Sequence, residues 1–328
     1  MPADPRFVTR RFRPGDETAI LDLFAQSFHA PADPRLFRWK YQGNPYDNGR
    51  ISLTFDAEGA LDAQYAGYPV LMHREGRDSV AHHIGDIMTR RSVRQVGRGL
   101  SSILGRTAMH FYENFCEGKV AFNYGFTTGT HQKLSVRFLR ATVVEPVIVW
   151  RRRFPVPRIS GWRRWLRGFQ LELVRDFGAE YDAFFERVAP AYGFLVRRDA
   201  RYLRWRYLQE PDGIFIVAIR RWRRLAGWGV FRIRERSLIW GDALFDPGEP
   251  RAVGTLIRHV APSYPVDLLT GWFAPRPAWF TRALEELGMA ADREPQELAL
   301  TCVPFEMADA TARMHENLYY TMGDSDLF

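Results

Sequence analysis

The sequence of 328 residues contains little cysteine and no long apolar run. Its two cysteines, Cys116 and Cys302, are far apart and lack metal-ligand spacing. This pattern excludes a disulfide-rich secreted domain and is typical of a reducing compartment. No run of 18 apolar residues occurs, so no membrane-spanning helix is predicted. The opening residues, MPADPRFVTRRFRPGDE, lack an apolar stretch of the signal-peptide type, and we expect a cytoplasmic protein.

Lysine is also scarce, with 3 Lys against 43 Arg, and the net charge of +8 is unevenly distributed. Residues 1–150 contain 19 basic and 15 acidic side chains, and residues 169–328 contain 20 and 23. The connector between them, residues 151–168, contains seven arginines and no acid. Because the basic excess lies mainly in one short segment, a uniformly basic nucleic-acid binder is disfavoured, and we expect no nucleic-acid partner.

A segment of 13 residues occurs twice, 166 positions apart: DPRLFRWKYQGNP at 33–45 and DARYLRWRYLQEP at 199–211. A repeat separated by this distance predicts a duplicated domain rather than a solenoid unit. Arg35, Arg38 and Trp39 could line an acceptor pocket. Because both copies keep these residue types, we interpret the repeated segment as a signature of the fold.

Both halves show the same pattern of elements, in the order β-α-α-β-β-β-α-β-α-β. This order predicts an α/β protein with two similar domains, each a mixed, mostly antiparallel central sheet flanked by helices. The expected division is residues 1–150, the basic linker 151–168 and residues 169–328. The segments VVEPVIVW and QELALTCVPF are expected to be the last strands of the first and second domains.

The loop RRSVRQVGRGL follows a predicted strand that ends at Thr89 and precedes a predicted helix. Gly97 and Gly99 would allow positive φ and close approach of a ligand to the backbone. Successive amides at a helix N-terminus suit a pyrophosphate. Arginines add positive charge at four positions: Arg90, Arg91, Arg94 and Arg98. The alternative is a glycine turn with solvated arginines, and a dinucleotide fingerprint is disfavoured because its third glycine is missing.

This pattern, VRQVGRGL between a strand and a helix, resembles the acyl-CoA loop of the GNAT N-acyltransferase superfamily. The duplication resembles tandem GNAT proteins, including the enhanced intracellular survival proteins, although no third domain follows. The resemblance implies acetyl-CoA or another acyl-CoA as co-substrate, without a metal. It also implies direct transfer of an acetyl or short acyl group to a primary amine of a small metabolite, such as an amino sugar or amino acid.

The resemblance further implies the residues that bind CoA. For the pyrophosphate these are Arg94, Gln95, Val96, Gly97, Arg98 and Gly99; for the pantetheine arm they are Met88, Thr89 and Asn123. The corresponding stretch of the second copy, DPGEPRAVGTL, lacks the motif. Its acids would repel a pyrophosphate and its prolines remove amide donors, so we expect one CoA site, in the first copy.

Attack of an amine on a thioester requires a base for the amine and an acid near the leaving sulfur. Tyr124 is the candidate acid, with a packed tyrosine as the alternative. Asp86 is a candidate base, although its echo at Asp242 in the second copy favours a shared structural role. In tandem proteins of the enhanced intracellular survival type the chain end enters the active site, so Phe328 is a second candidate base. A frayed acidic tail is the alternative.

Three further expectations are more general. His82 and His83 are adjacent on a strand, so they point to opposite faces and are expected to be packed or exposed. The basic linker could contact an anionic membrane surface or dock an acyl carrier protein as the acyl donor, or its tryptophans could pack between domains. A ligand sensor or scaffold without catalytic activity is the alternative of a different class. The sequence does not indicate an oligomeric state.

Overall fold

The computed structural model describes residues 6–48, 50–156, 160, 168–209 and 213–328. Most of the basic linker, including Trp162 and Trp165, lies outside the described residues, so the expectations for it stay predictions. Among the described residues no helix is long and apolar enough to cross a membrane.

The structure contains the following strands and helices. The strands are β1 (Phe7–Arg11), β2 (Ile51–Asp56), β3 (Leu61–Arg74), β4 (Arg77–Thr89), β5 (Phe122–Thr127), β6 (Thr142–Pro146), β7 (Ile148–Arg153), β8 (Phe169–Leu173), β9 (Phe194–Val196), β10 (Phe215–Arg221), β11 (Arg224–Arg234), β12 (Ser237–Phe245), β13 (Leu268–Trp272), β14 (Ala290–Arg293), β15 (Ala299–Pro304) and β16 (Leu318–Tyr319). The α-helices are α1 (Glu17–Phe28), α2 (Pro34–Phe37), α3 (Ile103–Phe111), α4 (Gly129–Phe138), α5 (Ala179–Val188), α6 (Ala200–Leu203), α7 (Arg251–Val260), α8 (Ala278–Glu286) and α9 (Ala310–Asn317).

These elements form two units. Unit 1 comprises Met1–Leu71, Ser79–Glu145 and Leu298–Arg313, and unit 2 comprises Met72–Asp78, Pro146–Glu297 and Met314–Phe328. The sheet of unit 1 has the strand order β1-β2-β3-β4-β5-β15-β6, and that of unit 2 the order β14-β7-β13-β12-β11-β10-β8. In each sheet one central pair is parallel, β4 with β5 and β12 with β13. Two mixed sheets flanked by helices confirm the predicted fold class.

Each sheet takes one strand from a distant part of the chain. In unit 1, β15 pairs with β5, and Cys302 lies opposite Tyr124. In unit 2, β7 takes the corresponding place beside β13, and Trp150 lies opposite Gly271. These pairings satisfy backbone groups of buried strands that would otherwise lack partners.

This arrangement differs from the contiguous domains expected from the sequence, 1–150, 151–168 and 169–328. The segment VVEPVIVW is two strands, β6 and β7, which lie in different sheets. The segment QELALTCVPF contributes β15 to unit 1 rather than to the second domain. Hydrophobic periodicity predicts that a segment is a strand, but it does not predict which strand it pairs with.

The repeated segment begins each short helix with the same cap. The carboxylate of Asp33 accepts a hydrogen bond from the amide of Arg35 at 2.8 Å, and that of Asp199 accepts one from the amide of Tyr202 at 2.9 Å. Aspartate at an N-cap satisfies an amide that has no partner inside the helix. The tryptophans that follow, Trp39 and Trp205, are buried. The interpretation of the repeat as a fold signature therefore has a physical basis.

The core of unit 2 contains a fully buried ion cluster centred on Arg198. Its guanidinium bonds to Asp242 at 3.1 Å and to Asp324 at 2.6 Å. The hydroxyl of Thr321 donates to Asp242 at 2.8 Å, which ties the last segment of the chain to β12. Because the charges are paired and hydrogen-bonded, burial is tolerated, but loss of one partner would leave charge uncompensated.

We expect Arg198→Met to destabilise the protein by about 3–5 kcal/mol, since two carboxylates would remain buried without their cation. Urea unfolding would measure the change. Arg236→Met is the control, because Arg236 pairs with Asp267 at the surface and should leave the unfolding midpoint unchanged. Equal midpoints for the two variants would contradict the importance of the buried cluster.

Candidate active site

The parallel pairing of β4 and β5 is short. His82 lies opposite Asn123 and His83 opposite Tyr124, where the ladder ends. Both strands continue beyond this point, β4 to Thr89 and β5 to Thr127. The strands therefore splay apart toward their carboxyl ends and leave an opening between them.

Asp86 lies on β4 just beyond the paired residues, in a strained backbone conformation. Its φ is +51°, which is uncommon for a residue other than glycine. Its Oδ2 accepts hydrogen bonds from the Lys40 ammonium and from the Tyr41 hydroxyl, each at 2.8 Å. Its side chain is 16% exposed. Strain at a residue held by several partners is a recurrent property of functional sites.

Unit 2 repeats the bond between tyrosine and aspartate. The hydroxyl of Tyr207, which corresponds to Tyr41, donates to Oδ2 of Asp242 at 2.5 Å. Asp242 is fully buried, whereas Asp86 reaches solvent. The shared bond gives both aspartates a structural role, and the exposure of Asp86 leaves it available for chemistry as well.

The predicted CoA loop connects β4 to α3, but the helix begins later than expected. A short 3₁₀ turn at Gly99–Ser101 comes first, and α3 begins at Ile103 after Ser102, whose hydroxyl accepts from the amide of Gly105 at 3.0 Å. Ser102 is the N-cap of α3, because its hydroxyl binds an amide that has no partner within the first turn of the helix. The loop is thereby held as an exposed projection at the N-terminus of α3.

Two loop positions require glycine. Gly97 and Gly99 have φ of +73° and +58°. A Cβ on Gly97 would lie 2.3 Å from the carbonyl oxygen of Ser101, and one on Gly99 would lie 2.9 Å from the ring of Phe138. Both the backbone conformation and the lack of space therefore exclude larger residues.

The loop presents donors suited to an anion. Within the described part of the chain, the amides of Gln95 and Gly97 make no hydrogen bond. The side chains of Arg91, Arg94 and Arg98 are exposed. Arg94 donates to the carbonyl of Thr89 at 3.2 Å, which places its guanidinium between the strand end and the loop.

Arg90 behaves differently from the other loop arginines. Its amide bonds to the carbonyl of Asp62 and its guanidinium to the carbonyl of Leu61, each at 2.7 Å. It also lies 3.4 Å from the buried Asp62 carboxylate. Arg90 thus anchors the end of β4 to β3, which differs from its expected role in binding phosphate.

On the other face of the β4–β5 junction lies a buried polar cluster. Nδ1 of His82 lies 3.1 Å from Oδ1 of Asn123, and Nε2 of His82 contacts the guanidinium of Arg50. The Asn123 amide also donates to the sulfur of Cys116 at 3.3 Å. Since the Asn123 side chain has these partners, the expected contact with pantetheine would have to use its backbone.

Burial and the charge of Arg50 lower the pKa of His82 to about 3. The ring is therefore neutral at neutral pH, so Nδ1 carries the proton that it donates to Asn123 and Nε2 accepts from Arg50. Burial also raises the pKa of the Cys116 thiol to about 12, which keeps it protonated. A neutral thiol is a poor nucleophile, so the cluster supports the strand junction rather than covalent catalysis.

Tyr124 faces the opposite side of the sheet from Asn123. It is 3% exposed, and its ring contacts that of His83 at 5.2 Å between centroids. His83 in turn stacks on Tyr68 at 4.9 Å. This aromatic wall holds Tyr124 at the point where the strands separate, and its assignment as an acid stays a prediction.

Phe328 belongs to unit 2. Its ring packs on Gly241, where a Cβ would lie 2.1 Å from the ring, and an oxygen of its main-chain carboxyl group accepts a hydrogen bond from Arg206 at 3.0 Å. Asp324 is bound to Arg198 in the same unit. The tail is docked rather than frayed, but these contacts are those of a packed segment of unit 2. The expected role of Phe328 as a base in the first copy stays a prediction.

Sequence reasoning missed Lys40 and Tyr41 as partners of Asp86. Signals for both were present, since tyrosine recurs in both repeated segments and Gly-Asp recurs in both fourth strands. The sequence could not indicate that the tyrosine of the repeated segment contacts the aspartate of the Gly-Asp pair. No group of side chains able to hold a metal ion occurs among the described residues.

Because the unfolded chain binds a proton at His82 below pH 6.5 and the folded protein does not until about pH 3, acidification should destabilise the fold. The contribution is about 2 kcal/mol between pH 7 and pH 5. We expect His82→Gln to be less stable at pH 7 but to lose less stability toward pH 5. Urea unfolding at both values measures this. A wild-type slope in His82→Gln would contradict the lowered pKa of His82 in the folded protein.

Comparison with known proteins agrees with this geometry. Residues 8–133 match the model of the acetyltransferase (GNAT) domain family. No curated protein sequence matches the chain. A solved structure from Enterococcus faecalis, described as a conserved protein of unknown function and probable N-acyltransferase, has a TM-score of 0.68 at 12% identity and covers 92% of this chain and 73% of that chain.

Two other solved structures have similar folds. A GCN5-related N-acetyltransferase from Anabaena variabilis has a TM-score of 0.65 at 15% identity, over 90% of this chain and 72% of that chain. N-myristoyltransferase of Saccharomyces cerevisiae with bound myristoyl-CoA has a TM-score of 0.59 at 11% identity, over 92% and 84%. These identities establish a likeness of fold. Residues 8–133 therefore match the GNAT acetyltransferase domain family, and the chain as a whole is similar in fold to these solved structures.

Proposed function

We propose that the protein is an acyl-CoA-dependent N-acyltransferase with one CoA site, formed by the loop of unit 1. It transfers an acetyl or short acyl group to a primary amine of a small metabolite, such as an amino sugar or amino acid. The observation that supports this proposal most directly is the loop 94–99. There, two positive-φ glycines, exposed arginines and amides that make no hydrogen bond to the described residues project beside the splayed ends of β4 and β5.

The residues of the loop suit a pyrophosphate and those of β4 suit a pantetheine arm. Amides of the loop and the positive end of α3 would bind phosphate oxygens, and Arg94 and Arg98 would neutralise their charge. Backbone groups of Met88 and Thr89 would pair with the amides of pantetheine. The thioester would then lie in the opening between β4 and β5.

In the corresponding loop of unit 2, one acid binds a loop amide and another is paired with an arginine. The carboxylate of Asp246 accepts from the amide of Gly248 at 2.9 Å, and Glu249 pairs with Arg221 at 2.5 Å. An acidic side chain bound to the loop amide competes with an anionic ligand. This supports a single CoA site per chain.

The transfer is a direct attack. The acceptor nitrogen bonds to the thioester carbonyl carbon and gives a proton to Asp86, and the carbon–sulfur bond breaks. Tyr124 gives a proton to the leaving sulfur, so that the products are an amide and the CoA thiol. Asp86 suits the base because its Oδ1 has no hydrogen-bond partner among the described residues, whereas Oδ2 is held by Lys40 and Tyr41.

Isothermal titration with acetyl-CoA tests the CoA site. We expect one molecule to bind per chain, and Arg94→Ala to weaken binding roughly 10- to 100-fold, as loss of a charge-assisted hydrogen bond does. Gly97→Glu should abolish binding by strain and repulsion. Gly248→Ala in the loop of unit 2 is the matched control and should bind like the wild type. Absence of binding to the wild type would refute the proposal, and two molecules per chain would refute a single site.

Tyr124→Phe tests the acid. We expect kcat for release of the CoA thiol, measured with the best acceptor from a panel of amino sugars and amino acids, to fall roughly 100-fold or more. Binding of acetyl-CoA should not change. Tyr65→Phe is the control, because Tyr65 is also buried but bonds to Tyr112 on the face that packs on α3. An unchanged kcat in Tyr124→Phe would remove Tyr124 from the mechanism.

A further inference from the structure

The turn between β10 and β11 of unit 2 has a strained backbone. β10 ends at Arg221, β11 begins at Arg224, and these two residues lie opposite each other, so Trp222 and Arg223 form the turn. Their φ values are +48° and +70°. A two-residue hairpin turn with positive φ at both positions favours Asn-Gly, because this conformation is unfavourable for bulky side chains. Tryptophan and arginine are therefore poor residues for the turn itself.

Packing within unit 2 does not explain Trp222. It is 71% exposed, the largest exposed fraction among the large apolar side chains of the described residues. Part of its ring packs on Gly168, where a Cβ would lie 2.5 Å from the ring, and the rest faces solvent. Because strained residues cluster at functional sites, an exposed tryptophan in a strained turn indicates a contact with something outside the chain.

The arginine that precedes the turn on β10 and the one that ends the strand are both neutralised by acids. Arg220 lies 2.8 Å from Glu172 and 2.6 Å from Glu180. Arg221 lies 2.5 Å from Glu249. These three carboxylates therefore do not balance any further positive charge at the turn.

The next two arginines are different. Arg223 and Arg224 are exposed, and within the described part of the chain their side chains make no hydrogen bond or ion pair. The exposed ring of Trp222 thus stands beside two guanidinium groups that the fold does not neutralise. This combination suits an anionic partner with an apolar layer beneath its charges.

The basic linker ends beside the same turn. Its last residue, Gly168, accepts a hydrogen bond with its carbonyl from the amide of Trp222 at 3.0 Å. Residues 151–168 contain seven arginines and no acid. The turn therefore lies at one end of a strongly basic segment, although the contact inferred below needs only residues 222–224.

We propose that residues 222–224 dock the protein on an anionic membrane surface. The ring of Trp222 enters the headgroup layer, where an apolar ring with a polar N–H is favoured, and Arg223 and Arg224 bind lipid phosphates. A nucleic acid would instead require a groove that follows its backbone or a platform on which several bases stack. The inference goes beyond the proposed function and does not depend on it.

Sedimentation of the full-length protein with lipid vesicles tests the inference. We expect the wild type to bind vesicles made of equal parts of phosphatidylglycerol and phosphatidylcholine, and to bind phosphatidylcholine alone roughly 10-fold more weakly or less. Salt at about 0.5 M should release it, because it screens the charges. Trp222→Ala should weaken binding to the anionic vesicles roughly 10-fold, through loss of apolar burial. Arg223→Ala/Arg224→Ala should have an effect of similar size.

The matched control is Arg234→Ala/Arg236→Ala. It removes the same number of exposed arginines from the turn at the other end of β11, and it should bind like the wild type. An equal loss of binding in this control would show that only net charge matters, and the inference would be wrong. Unchanged binding in Trp222→Ala, or no binding of the wild type to anionic vesicles, would also overturn it.

A further variant distinguishes docking from folding. Trp222→Asn/Arg223→Gly gives the turn its favoured residues, so its urea unfolding midpoint should equal or exceed that of the wild type. Its binding to the anionic vesicles should nevertheless fall roughly 10-fold or more. A lower midpoint would show that Trp222 and Arg223 serve the stability of the turn, which contradicts the inference.

Discussion

A hydrogen bond from a tyrosine hydroxyl to an aspartate, on β4 in unit 1 and on β12 in unit 2, organises both units. In unit 1 it joins Tyr41 to Asp86 and in unit 2 it joins Tyr207 to Asp242. Each bond fastens the repeated segment to the sheet at the place where the parallel strands separate. A buried carboxylate without such a donor would be costly, so the position of the segment, the bend of the strand and the orientation of the carboxylate depend on one another.

The two units share a scaffold but differ in whether its polar groups are bonded within the protein. Among the described residues of unit 1, one oxygen of the Asp86 carboxylate has no hydrogen-bond partner, and amides of the neighbouring loop are unbonded. In unit 2 the same carboxylate binds Arg198 and Thr321, and the loop amide of Gly248 is bonded to Asp246. The fold is therefore shared, while chemistry depends on which polar groups each copy leaves for a ligand.

The sequence predicted the class of fold, the duplication and the positive φ of the loop glycines, because these depend on local patterns. Gly97 and Gly99 adopt the positive φ that their spacing suggests. Pairings between distant residues could not be predicted. The partners of Asp86, the docking of Phe328 in unit 2 and the exchange of β7 and β15 all depend on which surfaces meet, and local sequence patterns do not specify that.

The placement of β15 has a consequence for how the protein is made. Residues 299–304 lie inside the sheet of unit 1, although about half of the chain separates them from β5. During synthesis the edge of β5 stays unpaired until residues 299–304 leave the ribosome. The N-terminal part of unit 1 therefore cannot complete its sheet as soon as it is translated. During that interval the exposed strand edge is a site for aggregation or for chaperone binding.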